Sequence, residues 1–143
     1  MTQVKQLLQA KGSTVYSIAP EAPVREAIKL MAEHRIGALL VMRGPRLVGV
    51  VSERDYARKV ILQGRSSAAT PVADIMTSDP LTVVGPETDI FDCMHLCTDG
   101  RVRHLPVIQN NAVIGVISTG DLVKAVIDAQ AEQIEHMERY ITS

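Results

Sequence analysis

Apolar positions along this chain alternate between two patterns. Over residues 23–34, Val24, Ala27, Ile28 and Met31 recur at helical spacing among charged residues, which predicts an amphipathic helix. Gly37-Ala38-Leu39-Leu40-Val41-Met42 is instead a short continuous apolar run and predicts a buried strand. The turn Arg43-Gly44-Pro45-Arg46 leads to a second such run over residues 47–51, and a helix is expected after Ser52. With an extended segment at residues 15–18, the order is β-α-β-β-α. The order then recurs. An extended segment at 81–84 precedes a helix over 89–99 and two strands joined by Gln109-Asn110-Asn111-Ala112, and a helix follows Ser118.

The recurrence is a repeat of sequence. A shift of 66 residues lays residues 20–60 on 86–126 without a gap, with eleven of 41 positions identical. Among these are Arg35/Arg101, Leu39/Leu105, Gly49/Gly115, Ser52/Ser118 and Asp55/Asp121, while Val24/Ile90 and Val51/Ile117 keep apolar character. Two copies are too few for a solenoid, so they are expected to pair about a pseudo-two-fold axis. The fold class is α+β. The linear division places an N-terminal helix (Val4, Leu7, Leu8) and the first repeat in residues 1–66. The second repeat, with a C-terminal helical extension, falls in 67–143. Residues 63–71 read as a polar linker, and Val72-Ala73-Asp74-Ile75-Met76 as one helical turn. Val123, Val126, Ile127, Ile134, Met137 and Ile141 follow a three-and-four spacing, so the last helix carries an apolar stripe in need of a partner.

Composition narrows the function. At 143 residues, 46% hydrophobic and 22% charged, the chain has ample material for a core. A net charge of −1 argues against nucleic acid as the main partner. No apolar run approaches a membrane span and residues 1–6 lack the apolar stretch of a secretory signal, so a cytoplasmic protein is expected. Cys93 and Cys97 occupy the positions of Ala27 and Met31 in the first copy, which marks them as small buried hydrophobes. No second Cys or His pair completes a metal site around them.

Each copy's second strand ends in Gly-apolar-apolar-Ser-x-x-Asp, as Gly49 to Asp55 and Gly115 to Asp121. Ser-x-x-Asp between a strand and a helix is a capping box, in which the two residues satisfy free N–H groups at the helix start. The same geometry suits a ligand. A helix N-terminus attracts phosphate, an aspartate one turn in can accept both hydroxyls of a ribose, and a glycine lets a base or backbone come close. Arg101-Val102-Arg103-His104-Leu105-Pro106-Val107 adds three basic groups at the start of the second copy's strand. The first copy has Gly37-Ala38 there and regains basicity through Arg54 and Arg58.

The doubled unit, its two Gly-apolar-apolar-Ser-x-x-Asp motifs and Arg-His-Leu-Pro-Val resemble a pair of CBS domains (cystathionine-β-synthase-type repeats) over residues 14–129. The resemblance implies a disc with two clefts between the repeats that bind AMP, ADP, ATP, S-adenosylmethionine or, in some stand-alone members, NAD(H). By position, Asp55 and Asp121 would hold the ribose hydroxyls. Ser52 and Ser118, with Arg103 and His104, would face phosphate, and Arg54 and Thr119 lie inside the motifs. Tyr16 and Ile18, with Thr82 and Val84, would border the adenine, and Ala38, Leu105 and Pro106 belong to the adjoining strands. Leaving no residues for a catalytic domain, the chain resembles stand-alone members: a regulatory module that signals to an unidentified client protein and pairs as a homodimer. No Gly-x-Ser-x-Gly, His-Glu-x-x-His or Gly-Lys-Ser/Thr phosphate loop points to an enzyme. The other non-catalytic reading is a ligand-free dimerisation module whose Ser-x-x-Asp motifs only cap helices.

Overall fold

The computed structural model describes residues 2–142. The chain forms two compact units, residues 15–81 and residues 2–14 with 82–142. In the first, β1 (Ser17–Ile18) precedes α2 (Val24–His34), β2 (Ala38–Arg43), β3 (Arg46–Ser52) and the short α3 (Glu53–Tyr56). A π-helical turn, Ala57–Ile61, continues α3, and a 3-10 turn, Val72–Asp74, closes the unit. β1 runs parallel to β2 and β2 antiparallel to β3. The second unit comprises α1 (Val4–Lys11), α4 (Ile90–Gly100), the hairpin β4 (His104–Gln109) and β5 (Ala112–Ser118), and α5 (Thr119–Thr142). The extended segment expected at 81–84 contracts to one parallel bridge, Val84 to Val107.

Local chemistry explains the shared hairpins. Both have two-residue loops, closed by Arg43↔Arg46 and Gln109↔Ala112. Asn110 and Asn111 both take positive φ, at 52° and 63°, as the tight turn that matches strand twist demands. The strands slip register at Val41/Met42 and again at Val107/Ile108, positions related by the 66-residue shift.

The two cores repeat with the sequence. Ile18, Val24, Ala27, Met31, Leu39, Val41 and Val51 fill one. Their counterparts Val84, Ile90, Cys93, Cys97, Leu105, Val107 and Ile117 fill the other. Both cysteines are free and buried. Burial, with Cys97 beside it, pushes the Cys93 thiol up to about 11, so the thiolate that redox or metal chemistry needs is suppressed.

Each core is closed by a segment that precedes the other repeat. Val72 and Ile75 are buried in the first core, Val4, Leu7 and Leu8 in the second. Their backbone bonds correspond. Val72 N–H donates to Ala22 O (2.8 Å) and Ala73 N–H to Pro20 O (2.9 Å), while Val24 N–H donates to Thr70 O (2.8 Å). In the second unit Val4 N–H donates to Thr88 O (2.9 Å), Lys5 N–H to Pro86 O (2.8 Å) and Ile90 N–H to Thr2 O (3.1 Å). Packing therefore divides the chain differently from a linear boundary at residue 66, because α1 belongs to the unit of the second repeat. The segment read as a linker is also structural, its Thr70 and Ser67 carbonyls accepting the first N–H groups of α2.

The glycines of the two motifs make room for these segments: of the base or backbone that a glycine there admits, it is the closing segment of the chain itself that comes close. A Cβ on Gly49 would lie 2.6 Å from Met76 Sδ and 3.0 Å from Thr77 O; one on Gly115 would lie 2.7 Å from Leu8 Cδ2. Thr77 is held by a reciprocal backbone pair with Val50, both bonds 2.9 Å, whereas the Leu8 side chain can shift. Gly49→Ala should therefore cost about 1–3 kcal/mol and Gly115→Ala less, as read from urea unfolding midpoints.

Candidate functional site

Both Ser-x-x-Asp motifs form reciprocal caps. Ser52 Oγ accepts from Asp55 N–H at 3.1 Å, and Asp55 Oδ2 accepts from Ser52 N–H at 2.9 Å and from Ser52 Oγ–H at 3.0 Å. In the second unit Ser118 Oγ accepts from Asp121 N–H at 3.1 Å and Asp121 Oδ2 from Ser118 N–H at 2.8 Å. The strand geometry that expels the chain from the sheet puts each serine at the helix start.

The start of the neighbouring strand lies alongside. Ala38 is in register with Ser52, and Glu53 N–H donates to Gly37 O at 3.0 Å. His104 is in register with Ser118, and Thr119 donates to Arg103 O through its N–H at 2.9 Å and its hydroxyl at 3.3 Å. The second unit thus gathers Arg103, His104, Ser118, Thr119 and Asp121 at one strand–helix junction. The first gathers Ala38, Ser52, Arg54 and Asp55, with no cation at the start of the strand, where Gly37 and Ala38 stand.

A lysine reaches each aspartate. Lys59 Nζ lies 3.1 Å from Asp55 Oδ1 and donates to Ile75 O at 2.8 Å. Lys11, at the end of α1, lies 2.5 Å from Asp121 Oδ2 and donates to Val116 O at 2.8 Å. Sequence reasoning missed both. The 66-residue shift places Ala125 opposite Lys59, so the second copy has no lysine of its own at that place.

Electrostatics follow from this clustering. Burial would raise the Asp121 carboxyl, but the hydrogen bonds from Lys11 and from Ser118 outweigh it and hold it below the ordinary range. Burial lowers His104. Asp121 pulls it back up, and Lys11 and Arg103 push it down again. His104 is therefore a neutral hydrogen-bonding group at pH 7, and Arg103 supplies the fixed positive charge.

The residues expected around the base divide by exposure. Ile18, Val84 and Leu105 put their side chains into the cores. Val84 N–H donates to Pro106 O at 3.0 Å, and Val84 O accepts from Ile108 N–H at 2.8 Å. Thr82 is half-buried. Tyr16 is exposed and stacks on His34, with ring centroids 3.8 Å apart and planes at 17°. His34 ends α2, and a histidine at a helix end ordinarily reads as solvated, so no sequence pattern marks this pair. Among the described residues no group of three or more His, Cys, Asp or Glu side chains could hold a metal, and no helix is long and apolar enough to cross a membrane.

Known proteins with these features are CBS-domain proteins. The CBS domain family profile matches residues 11–61 and 72–128. The chain is 39% identical over 148 residues to the CBS domain-containing protein CBSX3, mitochondrial, of Arabidopsis thaliana, covering 98% of this chain and 72% of that protein. A solved protein with CBS domains from Burkholderia ambifaria MC40-6 is 52% identical and superposes with a TM-score of 0.87, over 90% of this chain and 96% of that one. The CBS domain protein PAE2072 from Pyrobaculum aerophilum, solved in complex with AMP, is 25% identical with a TM-score of 0.74, covering 84% of this chain and 89% of that one.

The lowered pKa of His104 has a measurable consequence. Its folded value lies below the unfolded value of about 6.5, so the unfolded chain binds the proton first. The corresponding stability is full above pH 6.5 and declines as pH falls through the window down to the folded value. Urea midpoints measured from about pH 7.5 down to pH 5.5 should fall more steeply for the native chain than for His104→Gln.

Proposed function

This chain belongs to the CBS domain family, and from that premise we propose that it is a non-catalytic regulatory module that binds adenine nucleotides. The observation that carries the reading is the Arg103–Asp121 junction. There a fixed cation, a neutral imidazole, a capped helix start and a carboxylate are brought together by one strand and one helix. A phosphate is attracted to the N-terminus of α5 and to Arg103, and a ribose diol to the carboxylate. The AMP complex of the Pyrobaculum aerophilum protein supports this ligand class. In this reading the Ser118–Asp121 site takes a mononucleotide such as AMP. The Ser52–Asp55 site, with Arg54 and Arg58 after its strand, takes a different or longer ligand such as NAD(H). The proposed compartment is the cytoplasm; the Arabidopsis relative's name is mitochondrial, and fractionation in the source cell decides between them.

The fully formed caps favour a second reading, in which Ser52, Asp55, Ser118 and Asp121 serve only the fold. Calorimetry on the aspartate variants separates the two. Both readings predict that Asp55→Ala and Asp121→Ala lower stability by about 0.5–2 kcal/mol through loss of a cap. The nucleotide reading adds that each weakens ligand about tenfold or more at its own site, leaving the other intact. Unchanged stoichiometry and affinity in both variants would leave only the capping role.

The signal is proposed to pass to a client protein from a homodimer. On α5, Val123, Ile127, Ile134, Met137 and Ile141 are all exposed, and the three isoleucines stand seven residues apart. Residues 130–142 of that helix are exposed throughout, and a helical stretch this short is marginal in water without a partner. A second copy supplies a matching stripe, and two-fold pairing is the commonest closed solution. Light scattering at tens of micromolar should give twice the chain mass, and Ile134→Glu should halve it. A monomeric mass for the native chain would exclude the dimer.

A further inference from the structure

The Thr2–Leu8 stretch of the second unit's closing segment aligns with Thr70–Met76 of the first without a gap, at a shift of 68, and keeps its pattern at Thr2/Thr70, Val4/Val72, Leu7/Ile75 and Leu8/Met76. The two then diverge. The 70s segment makes only the 3-10 turn Val72–Asp74, whereas α1 continues to Lys11. That additional turn, Gln9-Ala10-Lys11, is bonded to the site through Lys11, whose Nζ meets Asp121 Oδ2 and Val116 O. The first unit needs no such reach, since Lys59 engages Asp55 from the same helical segment.

Asp121 Oδ2 already accepts two hydrogen bonds, from Ser118 N–H and from Lys11 Nζ. A ribose diol gripped by a carboxylate uses both oxygens. The Ser118 N–H is backbone at a helix cap and stays. The Lys11 side chain is half-exposed and ends a helix, and it alone can give way. We propose that Lys11 competes with the ligand's ribose for Asp121, so that occupation of this site releases the last turn of α1. The inference rests on the adenine-nucleotide reading of that site and deepens it by naming the element that responds. Val4, Leu7 and Leu8 keep the first two turns packed. The response is confined to Gln9–Lys11 and to Gly12, whose N–H donates to Leu8 O at 2.8 Å. At Asp55 the same exchange moves only a side chain of the segment that carries the aspartate itself, since Lys59 stands four residues on from Asp55.

The competition gives Lys11 a sign opposite to that of an ordinary cation in a nucleotide site. A lysine that merely attracts ligand loses affinity when removed, whereas a competitor yields a gain. The test is calorimetry with adenosine, which has a ribose and no phosphate, on the full-length chain carrying Asp55→Ala to silence the other site. Lys11→Met should tighten adenosine about tenfold, the worth of one charge-assisted hydrogen bond. Lys11→Arg, which keeps a donor for Asp121, should remain near the parent value. Hydrogen exchange of the Gly12 amide should quicken when adenosine saturates the Lys11 protein and show no such response in Lys11→Met. Adenosine binding that weakens or stays unchanged in Lys11→Met, or a Gly12 amide that slows with ligand, overturns the proposal while the nucleotide reading stands. Absence of binding by adenosine and AMP to every variant and to the native chain overturns both.

Discussion

Neither repeat can bury its sheet unaided. Each covers a hairpin, with at most a two-residue third strand, by an 11-residue helix and the start of the helical segment after its last strand, so one strip of each apolar surface would be left open. The chain covers it with a segment taken from in front of the other repeat: Val4, Leu7 and Leu8 in one unit, Val72 and Ile75 in the other. Burial of three such side chains contributes several kcal/mol at about 1.5–3 kcal/mol each, and the rest of the architecture accommodates it. Gly49 and Gly115 are the places where the strands yield room. The linker's carbonyls double as caps for α2, because Pro23 at that N-cap has no side-chain acceptor.

The candidate site inherits its form from that arrangement. A strand ends, a serine turns the chain, and an aspartate one turn later locks the turn reciprocally. The cap and a nucleotide site are compatible because a carboxylate has more acceptor capacity than a cap uses. What distinguishes the two junctions is their surroundings. Arg103 and His104 border the second, where the first has Gly37 and Ala38, and the second borrows its lysine from α1. Similar caps thus stand in differing electrostatic settings.

The repeat made much of this legible. The pairs Val24/Ile90, Ala27/Cys93, Met31/Cys97 and Leu39/Leu105 identify both cores, and the cysteines fall where small or flexible hydrophobes belong. Hairpins, caps and the register of Arg103–His104 beside Ser118 follow from local motifs. The crossing of the closing segments did not follow, because assigning a segment to its nearest neighbour in sequence is the natural default. The signal was present as Thr2-x-Val4-x-x-Leu7-Leu8 against Thr70-x-Val72-x-x-Ile75-Met76, outside the stretch that aligns at a shift of 66. Lys11 was hidden for a related reason: it meets Asp121 across 110 residues of chain, and a lysine in the last turn of a helix reads as solvated. The stacking of Tyr16 on His34 likewise joins two elements that sequence treats separately.

Binding of adenine nucleotides by the folded chain is what would give these junctions a function beyond capping. Thermal unfolding of the native protein with AMP, ATP, NAD(H) or S-adenosylmethionine at millimolar concentration measures this directly. A ligand that binds only the folded form at a hundred times its Kd adds about 2.7 kcal/mol of stability. The account predicts a Tm that rises with AMP concentration and a smaller rise, at the same concentration, for Asp121→Ala. A Tm unmoved by all four compounds would contradict it.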